Sequence, residues 1–135
     1  MAIYVWVVVA GNTVIWLRRI VPELGAAGTP EFLEGSGLTT NPIFVQDLAV
    51  WLPLAAIAAW WLRQRRPAGY LLVGAYLVMW VTEAVTIASD QWFGNRADPT
   101  ATIVSGSVVV PFLVLAVVGA VPLLLLLRRL PRPTP

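Results

Sequence analysis

Long apolar segments separated by short polar ones dominate this chain. Four such segments cover residues 2–21, 43–62, 69–89 and 103–127. A hydrocarbon core about 30 Å thick takes about 20 helical residues to cross, and a backbone surrounded by lipid finds its hydrogen-bond partners within its own helix. The pattern predicts an all-α membrane protein in which four transmembrane helices form one antiparallel bundle, a single domain over residues 1–135.

The longest polar connection, residues 22–42, is rich in Gly, Pro and Thr, and it predicts a structured loop between helices 1 and 2. Within it, a short helix is expected over residues 30–34, ended by Gly35. Asn41 followed by Pro42 predicts the N-cap of the second span. The other connections are predicted to be a tight turn, a polar loop and a frayed tail, at residues 63–68, 90–102 and 128–135.

The arginines predict the sidedness, because cytoplasmic loops carry an excess of positive residues. Six arginines follow the even-numbered spans and three lie on the other side: Arg63, Arg65, Arg66, Arg128, Arg129 and Arg132 against Arg18, Arg19 and Arg96. Both termini are therefore predicted to be cytoplasmic, with the 22–42 loop outside. Arg18 and Arg19 go against this rule locally.

Composition supports a membrane location and narrows the chemistry. Hydrophobic residues make up 59% of the chain and charged residues only 12%, far below the share in soluble domains. There is no cysteine and no histidine, which removes thiol chemistry and the commonest metal ligand and general base. No metal or cofactor is predicted, and a net charge of +2 is too small to indicate nucleic-acid binding.

Small residues at helical spacing predict where helices approach closely. Ala55 and Ala59 form such a pair in the second span, and Ala116 and Ala120 form another in the fourth. Small side chains let the backbones of membrane helices come together. These pairs are interpreted as packing seams.

Polar side chains collect in the outer halves of the predicted spans. The candidate cluster consists of Arg18, Arg19, Asp47, Thr82, Glu83, Thr86 and Asp90. The members from the third span recur at steps of three and four residues and so share one helix face. A carboxylate near the bilayer centre costs about 3 kcal/mol, so Glu83 is expected to be protonated, paired or facing water, with Arg18 or Arg19 as partner.

Two readings of this cluster compete. In the first, the cluster is a structural polar lock between helices 1, 2 and 3. In the second, it lines an outward-facing cavity that binds a small ligand, an ion or a lipid headgroup, since ionisable residues within a membrane mark functional sites. Catalysis is a weaker reading, because no nucleophile–base, metal or phosphate-loop motif is present.

The first half of the chain carries a pattern that resembles a known family. Trp16 to Pro22, Gly28 to Pro30, Thr40 to Pro42 and Asp47 to Pro53 are similar to segments in the C-terminal half of an uncharacterised actinobacterial family of multi-pass membrane proteins. Members of that family have further N-terminal spans, so the resemblance implies a longer parent protein. It implies a topology and no activity.

The sequence predicts a bacterial inner-membrane protein that binds a ligand or serves as a complex subunit, without catalysis. The alternatives are an ion- or proton-coupled transporter component using Glu83 and Asp47, and a lipid-modifying enzyme. The predicted partners are the bilayer, other membrane subunits or further copies of the chain, and a small ligand or lipid; nucleic acid is not among them.

Overall fold

Every regular element in the described part of the chain is helical. A computed structural model describes residues 1–25, 28–34, 37–101 and 104–128. In these ranges four helices are long and apolar enough to cross a membrane, as predicted. Their bounds are Ala2–Ile20 (α1), Pro42–Arg63 (α2), Pro67–Ala97 (α3) and Val109–Arg128 (α4). The helices fall into two compact units, Met1–Val73 and Gly74–Pro135.

In the first unit, α1 packs against the second half of α2 through small side chains. Ala55, Ala58 and Ala59 are buried there, and Val5 on α1 is fully buried. The C-terminal end of α1 meets the N-terminal end of α2, where Trp16 contacts Asp47, so the two helices are antiparallel. The predicted Ala55–Ala59 seam is confirmed, and its cause is the short distance that alanine allows between backbones.

The start of α2 is set by a side-chain cap and followed by a wider turn. Asn41 Oδ1 accepts hydrogen bonds from the backbone N–H groups of Ile43 and Phe44, at 3.0 and 3.3 Å, which confirms the predicted cap. Residues Asp47–Trp51 then form a π-helical turn, closed by the Leu52 N–H bonding to the carbonyl of Asp47. Pro53 follows immediately and has no N–H to donate. The irregular turn therefore lies where the ordinary α-helical ladder is interrupted.

The turn between α2 and α3 is a Schellman motif with an arginine at its left-handed position. The Arg66 N–H bonds to the carbonyl of Trp61, and the Arg65 N–H bonds to that of Leu62, both at 3.0 Å. Arg65 has a φ of +59°. Gly69 then lies against the end of α2, where a Cβ atom would come within 2.8 Å of the Leu62 Cα. The tight turn predicted for 63–68 is confirmed, and it needs a glycine at 69.

We expect Arg65→Gly to stabilise the protein by about 1 kcal/mol, because a side chain in the left-handed region costs about 1–2 kcal/mol and glycine avoids that cost. The same change at Arg63, inside the last turn of α2, should destabilise by about 1 kcal/mol. Thermal unfolding in one detergent, read by circular dichroism, measures both. Equal destabilisation by the two variants would contradict the assignment of the motif.

In the second unit, α3 and α4 approach closely at a glycine. A Cβ atom on Gly119 would lie 2.7 Å from Trp80 Cδ1, and the Trp80 indole Nε1 donates to the carbonyl of Leu115 at 3.4 Å. A Cβ atom on Gly74 would lie 3.5 Å from Leu126 Cδ2, an ordinary contact distance. The register makes these helices antiparallel. Ala116 and Gly119 are buried, whereas the predicted partner Ala120 is only half-buried.

Some predicted boundaries were wrong. Residues 90–97, predicted as loop, continue α3 to Ala97. Within this last part of the helix, the Arg96 guanidinium carbon lies 4.3 Å from the ring centroid of Trp92, one helical turn earlier. The helix ends just before Asp98, where Pro99 disfavours further α conformation.

Three short 3-10 segments lie near predicted boundaries of the helices and of the first loop. They are Val21–Gly25, Glu31–Leu33 and Gly106–Val108. The predicted short helix at 30–34 is thus a single 3-10 turn. The predicted stop at Gly35, the start of the fourth span at 103 and the tail at 129–135 lie outside the described residues.

Candidate functional site

The first unit contains a polar cleft where α1 ends. The cleft has a volume of about 500 Å³ and is lined by Arg18, Arg19, Pro22, Glu23 and Phe32. This volume is within the range of small-ligand sites. Both arginine side chains are exposed, whereas Glu23 and Phe32 are half-buried. The site therefore combines two cations, one carboxylate and one aromatic ring at the polar end of an apolar helix.

Local structure brings these residues together. Arg18 and Arg19 occupy the last turn of α1, where cations interact favourably with the negative end of the helix. The chain then tightens into the 3-10 turn Val21–Gly25, which carries Pro22 and Glu23. A 3-10 helix has three residues per turn, so Glu23 leaves the register that would place it above Arg19 in an α-helix.

An aromatic row forms the support behind the cleft. The ring centroids of Trp16 and Phe44 are 4.6 Å apart, and those of Phe44 and Phe32 are 5.1 Å apart, both pairs tilted. Such tilted pairs contribute about 0.5–1.5 kcal/mol beyond the burial of their area. Phe44 is buried. The row thus holds the Phe32 turn of the loop against the ends of α1 and α2.

One hydrogen bond fixes the two helix ends to each other. The Trp16 indole Nε1 donates to Asp47 Oδ2 at 2.8 Å, and both side chains are half-buried. A hydrogen bond to a charged group is stronger than a neutral one, with a net value of about 1.5–3 kcal/mol. It connects the helix turn before Arg18 with the start of the π-helical turn in α2. Trp16 and Asp47 therefore position the cleft without lining it.

The charges of the cleft are not neutralised by one another. Among the residues that the structure describes, no ion pair joins Arg18 or Arg19 to Glu23. Two guanidinium groups that are not ion-paired to Glu23 offer donors to an external anion, because guanidinium donates several hydrogen bonds in a planar arrangement that fits phosphate or carboxylate. The chemistry of the described lining residues is thus that of an anion site with one carboxylate beside it.

The seven residues predicted as one polar cluster are distributed over both units. Arg18 and Arg19 line the cleft, and Asp47 accepts from Trp16 in the same unit. The members on α3 belong to the second unit, where Glu83 is half-buried and the other three are exposed: Thr82, Thr86 and Asp90. The pairing of Glu83 with Arg18 or Arg19 stays a prediction.

Polar groups at and after the C-terminal end of α3 bond to one another. Gln91 Oε1 accepts from the Ser105 N–H at 2.8 Å, and the hydroxyls of Ser105 and Ser107 are 2.8 Å apart. Asp98 Oδ1 accepts from both the hydroxyl and the N–H of Thr100, at 2.6 and 2.9 Å, and these bonds hold the pKa of Asp98 below its ordinary value. These contacts connect the end of α3 with the segment that precedes α4.

A metal centre finds no support in the described part of the chain, where no three acidic side chains come close enough to share an ion. Sequence reasoning found the two arginines but missed Pro22, Glu23, Phe32 and the role of Trp16. A single indole near the end of a span gives no indication of which carboxylate it bonds to. The four-residue spacing between Arg19 and Glu23 was the one feature of the sequence that indicated a role for Glu23 near the arginines.

Comparisons with protein-family models, with curated proteins and with solved structures found no match to this chain.

Proposed function

We propose that this protein is a non-catalytic, multi-pass protein of a bacterial cell membrane that binds a phosphate group in the cleft at the end of α1. One observation carries the proposal: Arg18 and Arg19 line a cleft of about 500 Å³ together with a half-buried carboxylate, and no ion pair among the described residues joins these charges. Two adjacent guanidinium groups suit phosphate better than they suit a single-charge carboxylate.

The location of the cleft supports a ligand from the membrane surface. The apolar part of α1 ends at Arg18, so the arginines lie where a spanning helix leaves the hydrocarbon and where long cationic side chains reach headgroups. Under the sidedness favoured by the arginine count, with both termini cytoplasmic, this is the outer surface. The phosphate is then that of a lipid headgroup or of a free phosphate compound.

Replacing both arginines, Arg18→Gln with Arg19→Gln, should weaken phosphate binding about tenfold or more, because each charge-assisted hydrogen bond contributes about 1 kcal/mol or more. The measurement is titration calorimetry on the full chain in a non-ionic detergent that carries no phosphate group. The probes are a short-chain phosphatidylglycerol and, separately, inorganic phosphate.

The matched control removes the same number of charges elsewhere: Arg63→Gln with Arg65→Gln, at the exposed end of α2 and in the turn that follows it. It should bind as the parent does. Equal loss by both double variants would mean that net charge alone attracts the probe, and no loss by either would mean that the cleft is not the site. Binding of the lipid but not of inorganic phosphate identifies the membrane as the source.

A further inference from the structure

We infer that the cleft selects a phospholipid headgroup that carries a primary ammonium next to its phosphate, as in a phosphoethanolamine headgroup. This inference rests on the proposed function and adds the identity of the ligand. Its basis is that Glu23 and Phe32 line the same cleft as the arginine pair.

The charge pattern of the cleft fits a zwitterion better than a simple anion. Arg18 and Arg19 together attract the phosphodiester. Glu23 lines the same space, half-buried, and is not held in an ion pair by either arginine within the described chain. A purely anionic headgroup would bring a second negative charge into the space that Glu23 lines, and like charges at close range are unfavourable. A headgroup with an ammonium gives that carboxylate a partner.

Phe32 favours the same ligand. A cation over an aromatic face is attracted by the negative charge density of the ring. One side of the Phe32 ring is taken by Phe44, whose centroid lies 5.1 Å away, and the ring also lines the cleft. A single ring with a carboxylate suits a primary ammonium, which donates hydrogen bonds to carboxylate oxygens. A quaternary choline group donates none and is bound in proteins by cages of several aromatic rings.

The geometry also distinguishes this arrangement from an ordinary surface ion pair. Arg19 and Glu23 are four residues apart, a spacing that pairs charges on an α-helix. Here the α-helix ends at Ile20 and a 3-10 turn begins at Val21. Arg19 and Glu23 both line one cleft, and no ion pair within the described chain joins them. The cationic and anionic parts of a headgroup can therefore occupy that space together.

The test measures headgroup preference on the full chain in detergent. Short-chain phosphatidylethanolamine, phosphatidylglycerol and phosphatidylcholine are titrated into the parent, into Glu23→Gln and into Glu34→Gln. Glu34 is an exposed carboxylate of the same loop and does not line the cleft. Free phosphoethanolamine and inorganic phosphate are titrated in parallel, so that lipid and soluble sources are separated.

The parent should bind phosphatidylethanolamine about fivefold more tightly than the other two lipids, as expected for one partly exposed charge pair of about 1 kcal/mol. Glu23→Gln should remove the preference for phosphatidylethanolamine over phosphatidylglycerol. It should weaken the binding of phosphatidylethanolamine and strengthen the binding of phosphatidylglycerol. Glu34→Gln should keep the parent's preference. Circular dichroism on each variant establishes that it is folded.

Equal binding of phosphatidylglycerol and phosphatidylethanolamine by the parent, or an unchanged preference in Glu23→Gln, would overturn the assignment of the headgroup. If binding then still depends on Arg18 and Arg19, the proposed phosphate site stands and only the ammonium partner is wrong. If none of the phosphate compounds binds the parent, the proposed function fails as well. Tighter binding of phosphoethanolamine than of the lipid would assign a soluble ligand in place of the membrane.

Discussion

Gly69→Ala should destabilise the protein by about 3 kcal/mol, at the upper end of the cost of overpacking, since the atoms in the way are backbone. A Cβ atom at this position would lie 2.8 Å from the Leu62 Cα and closer still to the peptide group between Trp61 and Leu62. Backbone atoms inside a helix cannot rotate away as a side chain can. The first turn of α3 would have to move off the end of α2, which would break the tight turn at Arg65.

The chain provides a matched control five residues further along α3. Gly74→Ala would place its Cβ atom 3.5 Å from Leu126 Cδ2, an ordinary contact. Alanine is favoured over glycine inside helices by about 1 kcal/mol, so this variant should be as stable as the parent or more stable. Thermal unfolding in a single detergent compares the three proteins. A Gly69→Ala protein as stable as Gly74→Ala would show that the turn is not packed as described.

Trp16→Phe should cost about 2 kcal/mol, the net value of one hydrogen bond to a charged acceptor. Phenylalanine keeps an aromatic ring against Phe44 but cannot donate to Asp47, whose carboxylate would stay half-buried without its 2.8 Å bond. Asp47→Ala removes the same bond from the other side. In the Trp16→Phe protein, Asp47→Ala should lower stability by much less than it does in the parent. This non-additivity measures the interaction between the two side chains.

Trp60→Phe is the control for the loss of indole surface. Trp60 is also on α2 but is 52% exposed, and its replacement should change stability by less than about 0.5 kcal/mol. Strictly additive losses at Trp16 and Asp47 in the double-variant cycle would mean that their hydrogen bond contributes nothing to folding. The same Trp16→Phe protein should bind the phosphate probe less tightly, because this bond positions the helix end that carries Arg18 and Arg19.

The sequence by itself determined the four helices, the cap at Asn41, the turn near residue 65 and the Ala55–Ala59 seam. These features depend on local chemistry. Hydrocarbon requires about 20 apolar residues per crossing, Asn41 bonds to the next backbone N–H groups, and small side chains at helical spacing form one face. Each of these features follows from residues that are close to one another along the chain.

Only the tertiary structure decided which distant side chains meet. Trp16 and Asp47 are 31 residues apart, and nothing in the spacing distinguishes this pair from other indoles and carboxylates near span ends. The same holds for Phe32 and Phe44, and for the 3-10 turn that carries Glu23 into the cleft that Arg19 also lines. The physical reason is that such contacts depend on helix registers and loop paths, which are fixed by packing of the whole unit and not by any short segment.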